Sequence, residues 1–388
     1  MRNARPLEGI VIVELGHSVA APYAGLILAD LGARVIKVEN PKQGDYARDW
    51  APPFWRDTSS SFASLNRGKE SITIDFSNAD ERAMLRRLII ENADGVVQNL
   101  RPGTLDQFGF SAASFLAEKP SLIWCDIGAF GAKGPMAHKP GYDPLVQAST
   151  GIMSVTGEGN RPPVRVGISM VDMGSGMWSV IGFLASLIGR MNNAGGGLVS
   201  TSLFETGLAW MMIPLAGYEA AGDIRRPYGS GVAEIVPYQA FQTKDGWMMI
   251  AAGNDNLFRK LCEVIDRNDL AKDPDFASNS ARVVNRERLI PVIAEAVSGF
   301  SAEELGQRLD AAGVPNSPLL GIEDVARHPQ TKALDLIVEC DDKLSLVTIP
   351  ISFDGERPRT ARRAPKLGEN NDIKRNRYDN IKRGARHA

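Results

Sequence analysis

The sequence of 388 residues has few of the side chains from which disulfide frameworks and metal sites are built. It contains three cysteines, Cys125, Cys262 and Cys340, and their wide spacing predicts reduced thiols rather than a disulfide framework. Its four histidines never approach the spacing of a metal-binding motif. We therefore predict no bound metal.

Net charge is also nearly absent. Lys and Arg number 44 and Asp and Glu number 46, which gives a formal charge of −2. This balance provides no global electrostatic attraction to nucleic acid or to a membrane surface, so we expect neither as a partner. An anionic ligand would need a local site.

Long apolar runs are missing as well. The longest, 177–189, is shorter than the ~20 residues that a membrane span needs. Glu8 and Glu14 interrupt any signal-peptide core near the N-terminus. The sequence therefore predicts a soluble cytoplasmic protein.

Apolar residues at 44% and charged residues at 23% are typical of globular domains, and the length predicts two or three such domains.

The first part of the chain repeats a strand–helix–strand pattern. The pattern predicts strands at 10–15, 35–39, 71–76, 95–98 and 122–126, with helices after Pro22 and at 79–91. Asn78 stands where an N-cap would begin the second helix. Such units imply right-handed crossovers and parallel strands. The sequence thus predicts an α/β fold with a Rossmann-like open parallel sheet in a large domain, whose first part is 1–221.

The pattern changes after this region. Residues 238–252 predict two strands around a Lys-Asp-Gly turn, and helical patterns follow them. We predict a smaller α+β domain at 222–330 and a segment, 331–388, that returns to the large domain. Residues 369–388 are polar and mostly basic; a solvated tail is favoured over an RNA-binding arm because no aromatic platform accompanies the charges.

Two loops at the predicted carboxyl ends of strands are candidates for binding. The turn 16–22 lacks the Gly-x-Gly-x-x-Gly pattern, which disfavours an ordinary NAD enzyme. Its small side chains would still let backbone N–H groups approach a phosphate or an acyl oxygen, although such a turn also serves packing alone. In the loop 99–103, Arg101 is either a phosphate ligand or a surface arginine.

Asp172 is the strongest candidate for chemistry among the acids of 141–176. It alone is followed by Gly174-Ser-Gly176 and an apolar helix. An Asp at this place can be a helix N-cap, or a carboxylate nucleophile that glycines make accessible to a bulky substrate. The two interpretations are compatible.

Several motifs together resemble the class III CoA-transferases, the family that includes formyl-CoA transferase and carnitine CoA-transferase. The motifs cover nearly the whole chain: Leu7-Glu-Gly-Ile-Val-Ile-Val-Glu-Leu15, Ala29-Asp-Leu-Gly-Ala-Arg-Val-Ile-Lys-Val-Glu39, Leu65-Asn-Arg-Gly-Lys69, Asn99-Leu-Arg-Pro-Gly103, Gly141-Tyr-Asp143, Ser154-Val-Thr-Gly157, Asp172, Gly253-Asn-Asp255, Ala311-Ala-Gly-Val-Pro315 and Leu367-Gly-Glu369.

The resemblance implies an interlocked homodimer and a reaction on Asp172. The carboxylate would attack an acyl-CoA thioester to give an aspartyl-acyl anhydride, then an aspartyl-CoA thioester, and a carboxylic acid acceptor would take the CoA. CoA is then a substrate, and no cofactor is bound permanently. The CoA contacts that it implies fall on Val19, Ala20, Asn99, Leu100, Arg101, Lys139, Tyr142 and Asp143. Many relatives use dicarboxylic acids, which suggests such an acceptor.

The sequence departs from the family pattern at two positions. Asn40 and Gln107 stand where some members have arginines, so Arg101 would take over part of the phosphate-binding role. An α-methylacyl-CoA racemase of the same fold is the alternative, but it needs a histidine where this chain has Tyr142. A phenol, which keeps its proton at neutral pH, is a poor base for an α-proton. A non-catalytic acyl-CoA-binding protein is a third interpretation, and Asp172 with its glycines argues against it.

Overall fold

The computed structural model describes residues 5–374, which form two compact units. The described residues of the first unit are 5–150, 166–212 and 330–374, and those of the second are 151–165 and 213–329. The second unit therefore includes 151–165, which the sequence assigns to the large domain. This segment bonds within the second unit, where Gly229 N–H donates to Gly157 O at 2.8 Å.

Strands and helices are numbered along the chain. The strands are β1 (Val11–Leu15), β2 (Arg34–Glu39), β3 (Phe54–Trp55), β4 (Thr58–Ser59), β5 (Glu70–Thr73), β6 (Gly95–Gln98), β7 (Ile123–Gly128), β8 (Gly197–Ser202), β9 (Tyr238–Gln242), β10 (Trp247–Ala251), β11 (Asn316–Pro318), β12 (Ile337–Glu339) and β13 (Ser345–Val347). The helices are α1 (Ala20–Asp30), α2 (Ser60–Asn66), α3 (Ala79–Asn92), α4 (Ala112–Glu118), α5 (Asp143–Ser149), α6 (Ile152–Val155), α7 (Met170–Met191), α8 (Leu203–Trp210), α9 (Met212–Ala221), α10 (Asp255–Val264), α11 (Asn268–Lys272), α12 (Asn279–Val284), α13 (Arg286–Ser298), α14 (Ala302–Ala312), α15 (Ile322–Arg327) and α16 (Pro329–Ala333).

The first unit is built on a six-stranded sheet in the order β5-β2-β1-β6-β7-β8. Every neighbouring pair of strands is parallel, which confirms the predicted open parallel sheet. Strands such as β1 are buried along their length because helices cover both faces of the sheet. Side chains of α3 and α4, including Leu85, Leu88 and Phe115, form the core on one face. Helices α1 and α7 contact each other in the same unit.

The strand order reverses between β1 and β6. The chain leaves β1 through α1 toward β2, and it leaves β6 through α4 toward β7 on the other side. The two connections therefore diverge and leave a crevice at the carboxyl ends of these strands, where open α/β sheets bind their ligands.

The second unit contains a three-stranded antiparallel sheet in the order β11-β10-β9. Strands β9 and β10 form the hairpin that the sequence predicts around its Lys-Asp-Gly turn. Helices α10, α13 and α14 contribute apolar side chains to its core, among them Phe258, Leu289 and Leu305.

The C-terminal segment corrects one expectation. Residues 370–374 do not belong to a solvated tail, because they lie on the edge strand β5. The side-chain oxygen of Asn370 accepts the Ser71 N–H at 3.0 Å, and that of Asn371 accepts the Thr73 N–H at 2.9 Å. Ile373 is buried in the same core as β5. The rest of the predicted tail, 375–388, lies outside the described residues.

Helix α7 is long and apolar enough to cross a membrane by its length and composition alone, a property shared by core helices of globular proteins. In the first unit it contacts β7, β8 and α1. It is the apolar helix that the sequence predicts behind Asp172, and it spans Met170–Met191.

Helix α1 passes directly over a buried ion pair. Lys69 Nζ lies 2.7 Å from Glu14 Oε2, and both side chains are fully buried. A Cβ added at Gly25 would overlap Glu14 Oε2 and lie 3.1 Å from Lys69 Nζ. Glycine is thus required at this helical position by the space that the ion pair occupies.

We predict that Gly25→Ala destabilises the protein by about 1–3 kcal/mol, because overpacking outweighs the gain in helix propensity. Gly189→Ala in α7 is the matched control, since its Cβ would lie 3.7 Å from the nearest atom. Urea unfolding at one fixed protein concentration measures both variants. An equal or higher stability of Gly25→Ala would contradict the packing constraint.

Candidate active site

A cavity of about 610 Å³ opens in the crevice between the ends of β1 and β6. The structure brings most of the predicted site residues together there: Asp172, Val19, Asn99, Leu100, Arg101, Lys139 and Tyr142 all line it. Ala20 and Asp143 are 1% and 2% exposed and lie behind the wall rather than in it. Tyr142 is 54% exposed.

Asp172 is the third residue of α7. Ser169 holds the N-cap position, so the expectation that Asp172 is itself the N-cap is wrong. Burial raises the pKa of the Asp172 carboxyl to about 7, and the negative charge of Asp143 adds to the rise. Among residues 5–374, no donor lies within hydrogen-bonding distance of its carboxylate. The carboxylate is therefore half-buried, basic and unengaged, facing the cavity.

Asp143 holds the backbone that carries Asp172. Its Oδ2 accepts the N–H groups of Val171 at 2.8 Å and of Asp172 at 3.2 Å. Its Oδ1 accepts Gln147 Nε2 at 2.6 Å. A carboxylate on α5 thus accepts the first N–H groups of α7, as an N-cap side chain would do. This contact fixes the backbone position from which the Asp172 side chain extends.

The loop that follows β1 is fastened to the loop that follows β6. The side chain of Asn99 accepts the His17 N–H at 3.0 Å and donates to the His17 carbonyl at 2.9 Å. The amide that sequence analysis assigns to ligand contact is therefore also the link between the two sides of the crevice.

Sequence analysis missed His17 as a site residue, although it lies in the turn 16–22 that was singled out. Its ring lines the cavity, stands edge-on to Tyr46 with centroids 4.9 Å apart, and places Nδ1 2.9 Å from Ser18 Oγ. Burial lowers the pKa of His17. The ring is therefore neutral at pH 7.

The loop that follows β2 forms a wall of which sequence analysis named only Asn40. Glu39, Asn40, Gln43, Asp45, Tyr46 and Trp50 line the cavity from this side. Tyr46 and Trp50 are 45% and 41% exposed, so they provide an aromatic rim. The available signal was the position of this loop, directly after a predicted strand at the same edge of the sheet.

Among the described residues that line the cavity, two carry a positive charge, Arg101 and Lys139. Both are exposed, and no carboxylate of residues 5–374 lies within ion-pair distance of either. Asn40 lines the cavity and accepts the N–H groups of Lys42 and Gln43, whereas Gln107 lies outside it and donates to Thr104 O. An anion in this cavity would meet Arg101 and Lys139.

Comparison with known proteins identifies the family. The family model described as CoA-transferase family III matches residues 7–371. The chain is 35% identical over 366 residues to acetyl-CoA:oxalate CoA-transferase of Acetobacter aceti, covering 94% of this chain and 93% of that protein. It is 34% identical over 374 residues to succinate–glutarate CoA-transferase of Agrobacterium fabrum, again covering 94% and 93%.

Solved structures agree with this result. A CAIB/BAIF family protein from Brucella suis superimposes with a TM-score of 0.86 at 37% identity, covering 95% of this chain and 98% of that one. The chain belongs to CoA-transferase family III, and the resemblance found in its sequence motifs is confirmed.

We predict that Asp172→Asn stabilises the protein at pH 8 by about 1–3 kcal/mol and has little effect at pH 4. The raised pKa means that the native state binds more protons than the unfolded state between about pH 4 and 7, so the wild type loses stability as pH rises through this range. Asparagine carries no charge to bury. Asp80→Asn, in the exposed first turn of α3, is the control, and thermal unfolding at both pH values measures the difference. A wild type as stable as Asp172→Asn at pH 8 would count against the raised pKa.

Proposed function

We propose that this family III CoA-transferase moves CoA from an acyl-CoA donor to a carboxylic acid, with Asp172 as the nucleophile. The observation that carries the proposal is the state of the Asp172 carboxylate. It is half-buried without a described hydrogen-bond donor, its pKa is about 7, and it faces the cavity. A desolvated carboxylate of raised pKa is more basic than one in water and is therefore a better nucleophile once ionised.

The reaction conserves every atom of the two substrates. An Asp172 oxygen attacks the thioester carbon; the C–O bond forms, the C–S bond breaks, and CoA leaves as a thiolate. The thiolate attacks Cγ of the aspartyl-acyl anhydride, which releases the donor acid as a carboxylate and gives an aspartyl-CoA thioester. The acceptor carboxylate attacks Cγ and expels the thiolate, which then attacks the acceptor carbonyl and regenerates Asp172. Neither water nor an oxidant enters the balance.

The CoA-binding proposal uses the two cations of the cavity. Arg101 and Lys139 would hold the phosphates, while Asn99, Leu100 and Tyr142 line the path toward Asp172. Val19, which lines the cavity, is the N-cap of α1, and no side chain of residues 5–374 caps that helix. Ala20 lies behind the cavity wall, so its contact with CoA is proposed through the uncapped N-terminus of α1, where oxyanions are stabilised.

The acceptor is proposed to be a dicarboxylic acid. The relatives described above are named for oxalate, succinate and glutarate, all of which carry two carboxylates. A cavity with two unpaired cationic side chains among its described residues is compatible with an acceptor that carries a second carboxylate. We also propose that the protein works in the cytoplasm.

Helix α7 supports the proposal of a homodimer. Met177, Trp178 and Ile181 on this helix are 45%, 41% and 52% exposed in the single chain. Further along, Ile188 and Met191 are 62% and 77% exposed. Apolar side chains of this size along one helix indicate a surface that another chain covers.

We expect light scattering to give a mass near twice that of the chain at micromolar concentration. Ile181→Glu, which puts a charge on the apolar face of α7, is expected to reduce the dimer fraction or to yield aggregate. A monodisperse wild type with the mass of one chain would contradict the homodimer.

We predict that Asp172→Asn and Asp172→Ala both abolish CoA transfer, a loss of at least about 10³-fold, because neither side chain can form the anhydride. CoA binding is expected to persist. Asp80→Asn should retain activity, since it changes another first-turn acid that does not line the cavity. Wild-type enzyme incubated with succinyl-CoA and hydroxylamine should carry a hydroxamate at Asp172, seen by mass spectrometry of the peptide.

Two results would contradict this assignment. Full activity of Asp172→Asn, with no hydroxamate on the wild type, would show that Asp172 is not the nucleophile. Deuterium uptake at the α-carbon of a 2-methylacyl-CoA during turnover in deuterated water, without CoA transfer, would indicate the racemase instead.

A further inference from the structure

Four fully buried charges lie beneath the loop that follows β1. Lys37 Nζ is 2.7 Å from Glu14 Oε1 and 2.8 Å from Asp45 Oδ2, and Lys69 Nζ is 2.7 Å from Glu14 Oε2. The two positive and two negative charges balance. Desolvation makes such a network no better for stability than well-packed apolar side chains. Its presence therefore requires another explanation.

Each of three network members also bonds to the backbone of the β1–α1 turn. Lys37 Nζ donates to Gly16 O at 2.9 Å, and Lys69 Nζ donates to Pro22 O at 2.8 Å. Asp45 Oδ1 accepts the Ser18 N–H at 2.9 Å. The network thus fastens both ends and the middle of the turn.

Ser18 is the strained point of this turn. Its φ is +68°, in the left-handed region that non-glycine residues rarely adopt. The next residue, Val19, lines the cavity and is the N-cap of α1. The conformation of Ser18 therefore sets where Val19 meets the cavity and where α1 begins.

Asp45 is itself held rigidly. Its N–H donates to Glu39 Oε2 at 3.0 Å, and its Oδ1 also accepts the Ala47 N–H at 2.8 Å. Burial alone would raise the pKa of Asp45, but the charge and hydrogen bond of Lys37 and the N–H groups of Ser18 and Ala47 together lower that pKa. Asp45 is thus an ionised acceptor in a fixed place.

We propose that Asp45 is a positioning residue for acyl-CoA binding: it holds Ser18 in the left-handed conformation and so places Val19, and with it the N-terminus of α1, for the ligand. The inference rests on the proposed function, since it takes CoA as the ligand of this cavity. Beyond that function, it states that the buried ion network affects CoA binding through the backbone of Ser18.

The test compares CoA affinity by titration calorimetry in folded variants. Asp45→Ala should weaken CoA binding about tenfold or more, because the Ser18 N–H loses its acceptor. In turnover assays the loss should fall mainly on KM rather than on kcat. Ser18→Gly, which adopts φ +68° without strain, should restore much of the affinity when added to Asp45→Ala.

Asp30→Ala is the matched control. Asp30 forms an equally buried pair with Arg67 at the other end of α1 and does not line the cavity. It should lower the thermal stability as Asp45→Ala does while leaving CoA affinity unchanged. If Asp45→Ala does not fold, Ser18→Val makes the same test without touching a charge, since a β-branched residue is strongly disfavoured at this φ and should weaken binding.

The outcomes distinguish a failure of the proposed function from a failure of the positioning role. A wild-type protein that binds no CoA overturns the proposed function. A wild type that binds CoA, with folded Asp45→Ala or Ser18→Val binding equally well, overturns the positioning role. Equal weakening in Asp30→Ala, or no rescue by Ser18→Gly, likewise shows that the effect is general destabilisation.

Discussion

The contact between the Asp143 carboxylate and the first N–H groups of α7 is the interaction on which the site depends. It joins two helices that are far apart in sequence, and it fixes the backbone of Asp172 while leaving the Asp172 side chain without a described donor. The same negative charge raises the pKa of Asp172 beyond what burial alone produces. One side chain, Asp143, therefore fixes the position of the Asp172 backbone and adds to the basicity that burial gives the Asp172 carboxyl.

The sheet explains why the other parts of the site converge. The strand order reverses between β1 and β6, so the loops after these strands separate and leave room for a ligand. Asn99 bonds both polar groups of the His17 backbone and keeps that separation constant. The crevice is thus formed by the strand order of the sheet. The polar side chains around it link its two sides.

Local patterns made much of the fold predictable. The β1–α1–β2 segment has β-branched strands around an apolar helix, and Asn78 caps α3 as expected, because each signal lies within a few residues. Asp172 could be singled out from its flanking glycines, and the family motifs supplied its role. What the sequence could not show was tertiary: the group that caps α7 lies 29 residues before Asp172, and the wall formed after β2 has no motif of its own. Sequence analysis assigns Asn370 and Asn371 to a solvated tail because their hydrogen-bond partners on β5 are about 300 residues away in sequence.

The placement of residues 370–374 has a consequence for biosynthesis. A strand at the edge of a sheet presents unpaired backbone groups that can pair with another chain. Here Asn370 and Asn371 accept the N–H groups of Ser71 and Thr73 on β5, so the last described residues cover an edge formed by the first hundred. While the ribosome synthesises the intervening 300 or so residues, that edge stays open. The nascent chain therefore passes through a long interval in which this edge strand is uncovered, and the interval ends only when residues 370–374 have been synthesised and reach β5.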